Sequence, residues 1–224
     1  MNVTEKELEQ RLPEMAELLR EKARALEALP GMRLSELPPG ETLIVSIDLN
    51  RGFAVEGALA SKEAGALVEP TAAFLRECRA RGYQTLCYSD RHTDASPELR
   101  AFPPHCMEGT AEWELAGSLL EHAGRVVYKN STNGVLAEGG NPAEDAGKRF
   151  FVVTGCLTEI CIYQYALTLR AWLNEHNIPD AEVIVPMELI DSYDAPGHPA
   201  FYYNLVFGSS LLENGIRVVR RIIF

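Results

Sequence analysis

Three side chains of complementary chemistry sit at or just past the ends of short apolar runs: Asp48, Lys129 and Cys161. A carboxylate can take a proton, a thiolate can attack a carbonyl carbon, and an ammonium group steadies the charges of both. Asp48 closes the run 42–48, and Asp90, followed by Arg91 and His92, closes 83–90. Lys129 closes 125–129, and Cys161 follows the run 149–155 after the turn Cys156-Leu157-Thr158. A lone strand-end Asp is more often a helix cap or loop anchor, so the reading rests on the set. Thr158 is a good N-cap, which places Cys161 in the first turn of a helix over 159–176. Free N–H groups and the helix dipole there favour a thiolate, and a nearby Lys129 would lower the thiol pKa further. Cys78, Cys87 and Cys156 read as small core residues, and Cys106 is left undecided.

A second constellation is Asp90, His92, Glu98 and His105, the last delivered by the rigid Phe102-Pro103-Pro104 segment. Two imidazoles with one or two carboxylates suit Zn²⁺, Fe²⁺ or Mn²⁺, with water in the remaining positions. His122, His176 and His198 are read as histidines without a ligand role.

The elements that must position these groups follow from the hydropathy pattern. Apolar runs at 42–48, 83–90, 125–129, 149–155, 181–190 and 215–224 predict strands, and helices are expected over 64–81, 111–122, 159–176 and 199–214. Strands that are apolar throughout and alternate with helices signal a parallel sheet covered on both faces. Ligands bind such sheets beyond the carboxyl ends of the strands, where Asp48, Asp90 and Lys129 stand. An amphipathic helix is expected over 4–29, capped by Thr4 with Glu7 in a capping box. The stretch 138–147 reads as a surface loop, and Asn2-Val3-Thr4 as a chance glycosylation sequon.

The chain has 224 residues and a formal net charge of −11, a balance that disfavours nucleic acid and anionic membranes as main partners. Five cysteines are too few for a disulfide scaffold and fit a reducing compartment. No targeting or membrane segment is visible, so a cytoplasmic protein acting on a small molecule is expected. The apolar faces of the N-terminal helix and the last strand suggest a homo-oligomer.

The motifs IVSIDLNRGF (44–53), SDRH (89–92), FPPHCMEGT (102–110), VVYK (126–129) and VVTGCLTEICI (152–162) resemble the isochorismatase-like cysteine hydrolases. Within that family the sequence is similar to nicotinamidases. The resemblance implies a three-layer α/β/α sandwich with a six-stranded, mainly parallel sheet over 41–224, preceded by a helical extension over 1–40. It implies a catalytic triad of Asp48, Lys129 and Cys161, a cis peptide bond between Cys156 and Leu157, and an oxyanion hole from the N–H groups of Leu157 and Cys161. A divalent metal, Zn²⁺ before Fe²⁺ or Mn²⁺, is implied at Asp90, His92 and His105, with Glu98 the candidate further ligand. Phe53 and Phe102 match the aromatic positions that sandwich the substrate ring. The implied reaction is hydrolysis of nicotinamide to nicotinate and ammonia through a thioester.

The sequence departs from the family pattern at Leu49-Asn50-Arg51-Gly52, at Arg91 between the metal-binding positions, and at Glu159-Ile160 before the nucleophile. Three other readings stand beside the first. One is a related hydrolase of another small amide, ureido compound or vinyl ether. Another is a non-catalytic ligand-binding member. A nucleotide-binding protein is disfavoured, since no G-x-G-x-x-G or P-loop follows the first strand.

Overall fold

The apolar runs become strands because both faces of the sheet are covered, so every strand position has a core to enter. The computed structural model describes residues 4–145 and 147–224. Asn2 and Val3 of the sequon, and Ala146 of the glycine-rich loop, lie outside the described residues. Six strands lie side by side: β2 (Thr42–Ile47), β3 (Gln84–Asp90), β4 (Arg125–Lys129), β5 (Phe150–Cys156), β6 (Glu182–Pro186) and β8 (Arg217–Val219). Their spatial order is β4-β3-β2-β5-β6-β8, and all neighbours run parallel. A short β7 (Ile190–Asp191) pairs with the carboxyl end of β5. Separately, β1 (Met32–Arg33) pairs with β9 (Ile222–Ile223).

Successive residues feed opposite cores. Leu43, Val45 and Ile47 of β2 join Phe151 and Val153 of β5 beneath Tyr165, Leu169 and Leu173 of α5 (Tyr163–Glu175). Ile44 and Val152 face the other way, onto Leu67, Val68 and Leu75 of α3 (Lys62–Ala80). Each such side chain contributes about 1.5–3 kcal/mol by leaving water, before the entropy cost of ordering it. The chain leaves β2 for β3 and β4 on one side and returns to β5 on the other. The carboxyl ends of β2 and β5 therefore flank the crevice where open parallel sheets bind ligands.

The described residues contain six α-helices, including the N-terminal α1 (Glu5–Glu27). The Thr4 hydroxyl accepts the Glu7 N–H at 3.2 Å, and the helix runs through Pro13. It lies against α6 (Ala200–Glu213), held by the Lys22–Glu213 ion pair, while Leu8, Leu12, Met15 and Leu18 are exposed. Leu34 and Leu37, just after β1, belong to the α3-side core. None of the described helices is long and apolar enough to cross a membrane.

Three expected elements differ. The run 215–224 breaks at Arg220 and Arg221, because Arg220 N–H turns to Pro30 O and Arg221 O accepts Met32 N–H, both at 2.9 Å. The end of the chain thereby leaves the main sheet to pair with β1. The run 181–190 is interrupted by a helical turn at Met187–Leu189, so its last residue belongs to β7. The helix expected over 111–122 forms only at α4 (Leu119–His122). The chain before it instead accepts the N–H groups of Arg51 and Gly52, each at 2.8 Å, and braces α2 (Arg51–Ala54) just after Asp48.

Candidate active site

Asp48 is set by a tight backbone junction. Its N–H donates to Tyr88 O at 3.1 Å, and it adopts the left-handed φ of 55° that Asp tolerates better than most residues. Gly155 on β5 has φ +114°, and a Cβ there would sit 2.0 Å from Ile47 O. Only glycine lets β5 approach the end of β2 this closely. The Cys156 thiol donates to Asp48 O at 3.2 Å, so this cysteine packs behind the junction.

Lys129 links the groups that the sequence singled out. Its Nζ lies 2.8 Å from Asp48 Oδ2 and 3.9 Å from Cys161 Sγ. It also donates to Asp90 Oδ1 at 2.5 Å and to Ser131 O at 2.9 Å. Burial opposes the ammonium charge, but Asp48 and Asp90 outweigh it and keep the group protonated well above its usual range. Burial and then the Asp90 charge push the Asp48 carboxyl up to about 7, against the pull of Lys129. Neither Asp48 oxygen receives a well-aligned hydrogen bond, which leaves lone pairs free to accept a proton.

Cys161 differs from the expectation of a depressed thiol. Burial pushes it well above its ordinary value, and Lys129 recovers only part of that cost beside the Asp48 and Asp90 charges. The expected cap is also absent. Residues Thr158–Ile162 form a π-helical turn, α5 starts at Tyr163, and the Thr158 hydroxyl donates to Asn204 Oδ1 at 2.6 Å. Asn204 Nδ2 in turn donates to Asp191 Oδ1 at 2.6 Å, so the cysteine-bearing turn is pinned to α6 and β7. The Cys156–Leu157 peptide bond is cis.

Asp90, His92, Glu98 and His105 each offer a donor atom, all within 4.8 Å of one another. His92 Nε2 lies 3.7 Å from Asp90 Oδ2 and 3.9 Å from Glu98 Oε1, and His105 Nε2 lies 4.0 Å from Asp90 Oδ2. The other ring nitrogens set the tautomers. Nδ1 of His105 donates to Pro103 O at 2.8 Å, and Nδ1 of His92 donates to Asn130 Oδ1 at 2.9 Å. Both Nε2 lone pairs are thereby presented to the cluster, and His92 Nε2 is buried without a hydrogen-bond partner. Two imidazoles and two carboxylates with this orphaned acceptor fit a divalent cation such as Zn²⁺.

A cavity of about 440 Å³ opens onto both groups, with Asp48, Cys161, Asp90 and His105 in its lining. Phe53 and Phe102 also line it, with ring centroids 5.5 and 6.1 Å from that of His105. Several contributors were not among the expected site residues: Asn130 behind His92, Leu59, Ile160 and Tyr193 in the wall, and Asn50, whose Nδ2 donates to Asp90 O at 3.1 Å. Arg91 turns away from the site, pairing with Glu108 and lying over the rings of Trp113 and Tyr128. Cys106 is fully buried, and its Sγ faces Asn50 Nδ2 at 3.6 Å, which is a packing role.

Known proteins share this fold. The Isochorismatase domain model matches residues 42–212, so the chain belongs to the isochorismatase family of hydrolases. Nicotinamidase 1 of Arabidopsis thaliana is 29% identical over 177 residues, which cover 70% of this chain and 72% of that protein. Among solved structures, the pyrazinamidase/nicotinamidase of Streptococcus mutans aligns with a TM-score of 0.67 at 20% identity, covering 80% of this chain and 99% of its own. The pyrazinamidase of Pyrococcus horikoshii, solved in complex with zinc, aligns with a TM-score of 0.65 at 18% identity, covering 80% and 98%. At such identities the structural likeness carries the fold alone.

Proposed function

We propose that the protein hydrolyses a small carboxamide, nicotinamide first among them, to the carboxylate and ammonia through a thioester on Cys161. The observation that carries this reading is that Asp48, Lys129 and Cys161 converge beside a four-donor cluster in one cavity. The likeness to a plant nicotinamidase supports the choice of substrate. Five free cysteines, one of them needed as a thiol, support a cytoplasmic setting.

Asp48 takes the Cys161 proton as Sγ attacks the carboxamide carbon, and Lys129 offsets the charge on both. The N–H groups of Leu157 and Cys161 receive the oxyanion. Asp48 returns the proton to the departing nitrogen, the C–N bond breaks, and ammonia leaves a thioester behind. Asp48 then takes a proton from water as the water oxygen attacks the thioester carbon. The C–S bond breaks, and Sγ recovers that proton. Burial keeps the resting thiol neutral, and its proton passes to ionised Asp48 only as Sγ attacks, so no free thiolate accumulates in the buried site. Asp90, His92, His105 and Glu98 would hold the metal, which when bound supplies a Lewis-acid site for the ring nitrogen of the substrate. Phe53 and Phe102 hold the ring between their faces.

Ammonia release from nicotinamide by the zinc-loaded protein and by Cys161→Ala tests the proposal. Turnover confined to the wild type supports it. No release by the loaded wild type overturns the choice of nicotinamide, and turnover of a ureido or non-pyridine amide in its place would support the related hydrolase.

A further inference from the structure

The loop 192–199 between β7 and α6 contributes Tyr193, Asp194 and Ala195 to the cavity wall. It has little regular structure, so its position depends on side-chain ties. Much of that burden falls on His198. Its ring is stacked between Tyr193 and Tyr203, with centroid distances of 3.9 and 3.7 Å and interplanar angles of 6° and 10°. Its Nδ1 donates to Tyr193 O at 2.9 Å, and its Nε2 lies 3.3 Å from Glu159 Oε1, an ion pair when the imidazole is protonated.

Glu159 sits on the π-helical turn, two residues before Cys161. Its side chain is only 5% exposed. Oε1 also accepts the Ser192 hydroxyl at 3.0 Å, and Oε2 has no hydrogen-bond partner. A buried carboxylate in this state depends on its few remaining partners, and both come from the loop.

We infer that Glu159 and His198 act as a pair of positioning residues that lock the Tyr193–Ala195 wall to the turn carrying Cys161, and so set the width of the substrate cavity beside the nucleophile. The inference rests on the proposed thiol hydrolysis only for its kinetic readout. Neither residue touches the reacting atoms. Their effect falls on how closely the wall confines the substrate, which appears in KM before kcat.

The test uses Glu159→Gln, His198→Phe and the double variant of the full, zinc-loaded chain, with folding checked by circular dichroism. Phe keeps the ring stack and loses both polar ties. Each single variant should raise KM for nicotinamide about tenfold with kcat within about threefold, and the double variant should be no worse than the worse single one. A second readout needs no substrate: alkylation of Cys161, followed by peptide mass spectrometry, with N-benzylmaleimide and with iodoacetamide. A loosened wall should raise the bulky-to-small rate ratio about fivefold in each variant. Additive losses in the double variant, or a ratio unchanged in folded Glu159→Gln, would overturn the pairing. Absence of nicotinamide turnover by the wild type sinks the substrate assignment and leaves the alkylation ratio to decide this one.

Discussion

The Asp48 carboxylate and the Lys129 ammonium meet 2.8 Å apart, with neither side chain more than 1% exposed. Lys129 is shared with Asp90, so one cation serves two carboxylates, and Asp48 is left with its carboxyl pushed up to about 7 by burial and the Asp90 charge.

With Asp48 as the proposed base, that shift sets the direction of the expected pH profile. Only ionised Asp48 can take the thiol proton, and the ionised form dominates above its pKa. kcat/KM should therefore rise with unit slope as pH approaches about 7 and flatten above it. Asp48→Asn should lose about 10²–10⁴-fold in activity and abolish the rising limb. Ammonia release measured across the range checks both. A wild-type profile flat down to pH values near 5 would remove Asp48 as the base.

Cys161→Ala should cost at least about 10⁴-fold in kcat, since removal of a nucleophile leaves only binding and oxyanion stabilisation. Its fold should survive, because a thiol to methyl change leaves little empty volume. Retention of more than a few per cent of activity in a folded variant would exclude the thioester.

Chelation should abolish turnover, and Zn²⁺ should restore it. A more selective probe is Asn130→Leu, which leaves all four candidate ligands in place and removes the nearer acceptor of His92 Nδ1–H, leaving only the Ser96 hydroxyl at 3.4 Å. Outer partners of this kind typically contribute about 10–100-fold in metal affinity. Competition against a chromogenic chelator measures the loss, and an unchanged affinity would argue that His92 is not a ligand.

Gly155→Ala should destabilise the protein by ~2 kcal/mol or more, read as a lower urea midpoint. The added Cβ would meet the Ile47 carbonyl at 2.0 Å, where no side chain can give way. A midpoint equal to the wild type would mean that the β2–β5 junction is looser than described.

The strands were legible because their covering is double: a run such as 43–47 has no polar alternation to confuse it with a half-exposed strand. The Asp48, Lys129 and Cys161 positions were legible from strand ends for the same reason. What local pattern missed was tertiary. The stretch 111–122 reads as a helix, but its first residues are used to brace the turn after Asp48. Thr158 had the chemistry of a cap, yet its hydroxyl was claimed by Asn204 across the fold. The Cys161 thiol is raised rather than lowered because the helix dipole is a local effect, whereas burial is set by the whole fold. His198 gave no signal at all, since its meaning depends on Glu159 in a distant segment.

The strand order also bears on how the protein is made. Synthesis delivers Asp48, Asp90 and Lys129 first, while β2 still has one unpaired edge awaiting β5. Cys161 arrives with the segment after β5. A nascent chain therefore carries the proposed base without the proposed nucleophile, and Cys161 comes near Asp48 only when the second half of the sheet zips onto β2. On the proposed mechanism turnover certifies a finished sheet: a fragment that stops short of β5 and its turn is expected to be inactive, however well its first three strands have folded.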